Sequence, residues 1–177
     1  TNQDSSTTTP LAGNWNSIKI LANGSTFDRV IFRYGGYKDT PTASHWANLR
    51  VENSSITLKN SVIENSGVYG AWFKSVSGTI DGNTFRNNNV GSDAIGLVTE
   101  NGSLTIQNNT FQNNTYGLRM LSTGSSHSLS VQNNTLTQNT SEAIDANTVY
   151  PTFSGNTFSS NGTNGILYQG VISQNYT

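Results

Sequence analysis

The acidic and histidine side chains are the residues that could carry catalysis, and their spacing does not assemble a site. A glycoside hydrolase needs two carboxyl groups roughly 5 to 10 Å apart, and a calcium-dependent lyase needs several carboxylates free to bind the cation. His45 and His127 have no partner at the spacing of metal ligands. The carboxylates that could still converge from different positions are Asp93, Glu100, Glu142 and Asp145. The sequence therefore predicts no catalytic residue, no cofactor and no metal site, and it gives calcium no support.

The aromatic residues give a stronger indication of function. Exposed Trp and Tyr rings bind uncharged sugars, because the ring faces stack on C–H groups while nearby polar groups bind the hydroxyls. If Ala71 points into a core, Trp72 must point outward, since successive strand residues alternate. Trp46 is predicted to face outward one repeat earlier. The predicted ligand-binding residues are Trp46, Trp72, Tyr37, Lys38 and Asp39. The alternative role for such aromatics is to cover the end of the fold.

The composition excludes several classes of partner. The chain has 177 residues, of which 11% are charged and 33% hydrophobic, and its formal net charge is −1. A chain so close to neutral is not expected to bind nucleic acid or an anionic membrane surface. It has no cysteine, so a disulfide framework is excluded. No apolar run is long enough to insert into a bilayer.

A nine-residue segment recurs along the chain, and such periodicity determines the fold class. Its copies begin at residues 27, 58, 80, 106, 131 and 153, at steps of roughly 22 to 31 residues. A second short segment follows each copy, with a small residue and then an apolar one. These second segments begin at Gly70, Ala94, Gly117, Ala143 and Gly165. Short alternating stretches separated by Asn and Gly, with no helical apolar stripe, predict three short strands per repeat.

The repeat resembles that of the right-handed parallel β-helix in the pectate-lyase-like superfamily. The pattern of that family is apolar-x-x-Asn-x-apolar-x-x-Asn, and residues 131–139 read Val-Gln-Asn-Asn-Thr-Leu-Thr-Gln-Asn. The resemblance covers about residues 14–175 and implies an all-β solenoid of six to seven coils, each of roughly 22–31 residues. Enzymes, adhesins and phage fibres share this backbone, so the resemblance implies no single activity.

Stacked coils would turn equivalent positions into columns. The chain has 25 Asn, and amides stacked at about 4.8 Å can bond to one another, so most Asn are predicted to be structural. The predicted amide columns are Asn83, Asn109, Asn134, Asn156 and Asn88, Asn114, Asn139, Asn161. The predicted core columns are Ile80, Ile106, Val131, Phe153 and Phe85, Phe111, Leu136, Phe158.

Charged residues fall in outward columns whose sign alternates between neighbouring coils, which predicts cross-strand ion pairs. These columns are Asp28, Lys59, Asp81, then Arg33, Glu64, Arg86, and finally Arg119 with Asp145. Such pairing neutralises the surface and leaves few carboxylates for chemistry.

The domain organisation is simple. Residues 1–10 are polar and are predicted to be a linker or an edge of the chain, and residues 11–177 are predicted to form the β-helix. Residues 171–177 start another copy of the repeat, so we expect the solenoid to continue toward the C-terminus or to be truncated there. Further coils or another chain stacked end to end are expected partners.

Three classes of function fit these observations. The first is a noncatalytic module of a secreted or cell-surface protein, adhesin-like or binding a polysaccharide or cell-surface glycan. The second is a polysaccharide lyase or glycoside hydrolase of the pectate-lyase-like superfamily, so the question of enzyme or binding module stays open with a lean toward binding. The third is an ice-binding face made by the outward column Thr84, Thr110, Thr135 and Thr157, although Arg86, Lys59 and Asp81 would interrupt it.

Overall fold

The chain coils through three parallel β-sheets that run side by side along one axis. The computed structural model describes residues 9–37, 46–122 and 128–170, and these contain nineteen strands and no helix. Every strand pairing is parallel. The parallel β-helix predicted from the repeats is therefore confirmed.

Each coil gives one strand to each sheet, and the last strand begins a further coil. The first sheet has seven strands in the order β1 (Ile18–Ile20), β4 (Ala47–Glu52), β7 (Tyr69–Lys74), β10 (Ile95–Glu100), β13 (Tyr116–Leu121), β16 (Glu142–Asn147) and β19 (Thr163–Gln169). The second has six, β2 (Ser25–Asp28), β5 (Ser55–Lys59), β8 (Ser77–Asp81), β11 (Ser103–Gln107), β14 (Ser128–Gln132) and β17 (Thr152–Ser154). The third has six, β3 (Ile31–Arg33), β6 (Val62–Glu64), β9 (Thr84–Arg86), β12 (Thr110–Gln112), β15 (Thr135–Thr137) and β18 (Thr157–Ser159).

The core is a narrow column of apolar side chains between the sheets. Ile106 lies opposite Ile80 on one side and Val131 on the other, as the repeat predicts. The rings of Phe85 and Phe111 stack with centroids 4.9 Å apart and planes 9° from parallel. Successive residues of a strand point alternately toward the core and away from it. Three strands of three to seven residues therefore fill this interior with few apolar residues per coil.

Asparagine amides line the turns between the sheets, as predicted. The Oδ1 of Asn109 accepts hydrogen bonds from the backbone N–H and the Nδ2 of Asn83, at 2.8 and 3.0 Å. Its Nδ2 donates to the carbonyl of Ile80 at 2.9 Å and to Oδ1 of Asn134 at 3.0 Å. The second ladder repeats this pattern, with Asn88, Asn114, Asn139 and Asn161. Each amide thus ties one coil to the next and satisfies its own buried atoms.

In each Asn-Asn pair of the repeat, the first residue forms the corner of the chain and the second belongs to the buried ladder. Asn108 is exposed and adopts the left-handed conformation, with φ of 56°, whereas Asn109 is buried in the ladder. The sharp corner requires that conformation, which Asn tolerates better than most residues. The same division holds for Asn113 with Asn114, and for Asn133 with Asn134.

Two asparagines from the first sheet complete the second ladder at its ends. Asn48 is fully buried, accepts from the N–H of Gly35 at 2.6 Å and donates to the carbonyl of Glu64 at 2.9 Å. Asn164 accepts from the backbone N–H and the Nδ2 of Asn161, at 2.8 and 2.9 Å. Each occupies the place that a ladder amide of the neighbouring coil takes elsewhere. Sequence reasoning missed both, because they lie outside the nine-residue repeat.

Between these ends, the column that contains Asn48 carries small residues for a steric reason. A Cβ atom at Gly96 would lie 2.6 Å from the carbonyl oxygen of Gly117 and 3.1 Å from Nδ2 of Asn114. The ladder amide therefore fills the space of a side chain. Gly96, and not the predicted Ala94, lies in this column, because Ile95 pairs with Tyr69. That alignment was wrong by two residues, a shift that preserves the alternation of inward and outward positions.

The predicted ion pairs form in part. Arg86 binds Glu64 at 2.8 Å, and Arg119 binds Asp145 at 2.8 Å. The pairing of Lys59 with the aspartates of its column is wrong. Asp28 pairs with Arg29 at 2.9 Å and also accepts from Asn60, and Asp81 accepts from Asn108 at 2.8 Å. The partners of these carboxylates are corner residues instead of the lysine: Arg29 in the same coil, and Asn60 and Asn108 in the following coil.

The ladder predicts a difference between two adjacent substitutions. Asn109→Ala removes the acceptor of the Asn83 backbone N–H and Nδ2 and the donor to the Ile80 carbonyl, whereas Asn134 Oδ1 still accepts from the backbone N–H of residue 109. Each buried group left unpaired costs about 1–3 kcal/mol. Thr110 points outward and is half-buried, so Thr110→Ala should cost under about 1 kcal/mol. Urea unfolding of both variants measures the difference. Equal losses of stability would contradict the structural role of the ladder.

Candidate ligand-binding face

The outer surface of the first sheet carries the densest set of aromatic and charged side chains on the described chain. We call the outward residues of β4, β7, β10, β13 and β16 the first-sheet face. Ala71 and Phe73 belong to the core, so Trp72 between them faces outward, as predicted. Register places Trp72 opposite Val98, and Val98 opposite Arg119.

Trp46 and Trp72 are not exposed, which corrects the prediction from sequence. Trp46 is 8% exposed and Trp72 is 2% exposed. Trp72 packs with Ala47, Ile95 and Val98 in a second apolar cluster, separate from the core. The guanidinium of Arg50 lies 5.0 Å from the centroid of the Trp72 ring, a cation–π contact that helps to cover it. Strand alternation fixes the direction of a side chain but not its burial, because neighbours on the outer face also pack together.

Of the remaining predicted residues, the structure describes Tyr37. Tyr37 is 52% exposed, and its backbone N–H donates to the carbonyl of Trp15 at 3.0 Å. Lys38 and Asp39 lie outside the described residues. Tyr37 is thus the one predicted ligand contact that the structure places at the surface.

Tyr69 and Tyr116 are half-buried residues of the first-sheet face that the sequence reasoning missed. They lie in one column with Ile95 between them, so they are two coils apart, roughly 10 Å at the strand spacing of about 4.8 Å. Both precede the glycine of the small-residue column, in the dipeptides 69–70 and 116–117. That repeated Tyr-Gly dipeptide is the signal that could have identified them.

Arg119 is held in a fixed position beside this tyrosine pair. Its guanidinium carbon lies 4.1 Å from the centroid of the Tyr116 ring, and its Nε donates to Oδ2 of Asp145 at 2.8 Å. Asp145 is 2% exposed, and its other oxygen accepts from Gln169 at 2.9 Å. A carboxylate bonded through both oxygens is not free to act as a base, so Asp145 orients the arginine.

The tyrosine hydroxyl of Tyr69 is a neutral hydrogen-bonding group. Burial raises its pKa, Arg119 nearby lowers it, Asp93 raises it again, and the net pKa lies above the usual value. Tyr69 is therefore protonated at neutral pH. It can donate and accept hydrogen bonds but supplies no base.

Several other carboxylates of the face are also paired. Glu100 lies 3.0 Å from Lys74, and Glu52 lies 3.3 Å from Lys19 and also bonds Arg50. Among the described residues, no group of three His, Cys, Asp or Glu side chains could hold a metal ion. In the same part of the chain, no helix is long and apolar enough to cross a membrane. The chemistry that this face offers is ring stacking and hydrogen bonding.

The three-sheet stack with its internal amide ladders defines a parallel β-helix solenoid. The chain matches the family model described as the right-handed beta helix region over residues 16–176, so it belongs to the right-handed β-helix family. Neither the curated proteins nor the solved structures contain a significant match to it. The family establishes the fold and its handedness and leaves the ligand open.

The burial of Trp72 predicts a loss of stability when it is truncated. Trp72→Ala empties the second apolar cluster and should cost about 3–5 kcal/mol. Tyr37→Ala is the matched control, because Tyr37 is 52% exposed and should change stability by less than about 0.5 kcal/mol. Thermal and urea unfolding test both. A Trp72→Ala protein as stable as the parent would contradict the cluster.

The Glu52 ion pairs predict a sensitivity to acid. Burial raises the pKa of Glu52, but Arg50 and Lys19 together outweigh it and hold the pKa below its usual value of 4.5. Such a carboxylate stabilises the fold above that pH and loses its contribution as the pH falls through the lowered pKa. Urea unfolding from pH 7 to pH 3 should show a smaller acid loss in Glu52→Gln than in the parent. Parallel pH profiles would contradict this assignment.

Proposed function

We propose that this chain is a noncatalytic β-helix module of a secreted or cell-surface protein that binds polysaccharide along the first-sheet face. The observation that carries the proposal is the pair Tyr69 and Tyr116, two coils apart, with Arg119 fixed beside them. Ring faces bind the C–H surface of sugars, while the tyrosine hydroxyl and the guanidinium bind sugar hydroxyls. An extended polymer could lie along the stack and contact both rings.

The rigidity of the face favours binding of this kind. Arg119 is stacked on Tyr116 and bonded to Asp145, so little side-chain freedom remains to be lost when a ligand binds. Trp72 belongs to this face but is 2% exposed, so it supports its neighbours there in place of the direct contact predicted for it. Trp46 is 8% exposed and is not proposed as a direct contact either. Tyr37, with Lys38 and Asp39, stays a second proposed contact region.

We prefer a binding module to a lyase or hydrolase because the carboxylates of this face are paired with cationic side chains. A retaining or inverting hydrolase needs one ionised and one protonated carboxyl group facing the same bond. On the first-sheet face, Glu52, Glu100 and Asp145 each pair with Lys or Arg. A carboxylate held in this way binds its cation and not a substrate water.

A glycan array with the matched variants tests the proposal. Tyr116→Ala and Tyr69→Ala should each weaken polysaccharide binding by about tenfold, the loss expected for one aromatic stacking contact of about 1.5 kcal/mol. Tyr150→Ala is the control, since Tyr150 is 37% exposed and lies in the turn after β16. Its binding should equal that of the parent.

The same polymers should be recovered intact after incubation with the parent chain. Cleavage of any of them would overturn the noncatalytic assignment and favour the lyase or hydrolase. Undiminished binding by a folded Tyr69→Ala, Tyr116→Ala double variant would overturn the assignment of the face.

A further inference from the structure

The outer surface of the second sheet carries hydroxyl groups in two columns. Its strands β5, β8, β11 and β14 each have five residues and pair without a register shift. The first and third residues of each strand point outward and are all Ser or Thr. We call these residues the hydroxyl array: Ser55, Thr57, Ser77, Thr79, Ser103, Thr105, Ser128 and Ser130.

The hydroxyls at the centre of the array have no partner within the part of the chain that the structure describes. The side chains of Ser77, Thr79, Ser103 and Thr105 make no hydrogen bond to another described residue, although their backbones are fully paired in the sheet. At the edges, Ser55 accepts from Gly24, and a glutamine bonds to Ser130. The central hydroxyls are therefore available to an external ligand.

The spacing of the array is regular in both directions. Successive strands lie about 4.8 Å apart, and outward residues two apart along a strand are separated by about 6.6 Å. The buried asparagine ladder holds the strands in register behind this surface. A ligand that matches the array must itself be a rigid, periodic surface of hydrogen-bonding oxygens.

We propose that the hydroxyl array binds ice. The oxygen atoms of an ice surface repeat at spacings of the same order as those of the array, in two directions. A single exposed hydroxyl gains little from such a contact, since it exchanges one bonded water for another. A rigid array gains more, because once the first hydroxyls are matched the others are already in place and lose no further freedom.

The flanking residues of the second sheet are compatible with a flat contact in the central coils. The fifth residues of these strands form a third outward column, in which Gln107 of β11 and Gln132 of β14 are uncharged. Asp81 of β8 is bonded to Asn108 at 2.8 Å. Lys59 of β5 lies at the edge of the array.

The threonine column of the third sheet fits ice less well, although its register is as predicted. Thr84, Thr110, Thr135 and Thr157 lie opposite one another. The strands there have three residues, and Arg86 shares the face of Thr84. Thr157 donates its hydroxyl to Thr135 at 3.3 Å, so part of this column is bonded within the protein.

Inhibition of ice recrystallisation and the shaping of single ice crystals test the proposal. The parent chain should be active in both assays. Thr105→Lys, which places a long charged side chain in the middle of the array, should lose the activity, and Thr79→Lys should do the same. Thr110→Lys, on the third sheet, is the matched control and should retain it.

Melting temperatures of all three variants should equal that of the parent, because the substituted positions point outward. An inactive parent chain, an active Thr105→Lys protein or an inactive Thr110→Lys protein would each overturn the proposal. So would binding of the array to an insoluble polysaccharide that Thr105→Lys abolishes while the parent has no effect on ice. Tyr116→Ala should keep the ice activity, so the outcome is independent of the polysaccharide proposal.

Discussion

The whole solenoid depends on burying asparagine amides without leaving any of their hydrogen-bonding atoms unpaired. An amide carries two donors and an acceptor with two lone pairs, and in a water-free interior each unpaired group costs about 1–3 kcal/mol. Asn109 meets this requirement only if Asn83 and Asn134 lie directly before and after it. The ladder therefore fixes the register of the coils, where the apolar core alone would tolerate a shift. The glycine column follows from it, since the amide of Asn114 occupies the space beside Gly96.

The same constraint explains how the second ladder ends. A terminal amide would face a coil without an asparagine at that position. Asn48 and Asn164 supply the missing groups from the first sheet, in the column that holds Gly70, Gly96 and Gly117 in between. In that column, asparagine replaces glycine at the two ends, where the neighbouring coil has no ladder asparagine.

The repeat predicts the fold, the core columns and both ladders because these follow from periodicity, which a sequence displays directly. It predicts other properties less well. The two-residue error at Ala94 arose because both alignments keep the same inward and outward alternation. The exposure of Trp72 was wrong because burial on the outer face depends on neighbours from adjacent coils. The pairing of Arg119 with Asp145 was predicted, but Tyr116 was not assigned to a site, since it lies in a segment that varies between repeats and only the structure shows that Arg119 stacks on its ring.

Interior and surface therefore carry separate information in this chain. Corners and interior positions are determined by the left-handed turns and the amide ladders, so they repeat from coil to coil. The outer positions are free of that constraint, and the three sheets use them differently. The first-sheet face combines rings with paired charges around Arg119, whereas the array around Thr105 is small, uncharged and periodic. The periodic hydroxyl array is suited to a periodic ligand. The irregular first-sheet face is suited to a polymer that contacts a few separate side chains, so the two faces are best tested with ligands of different kinds.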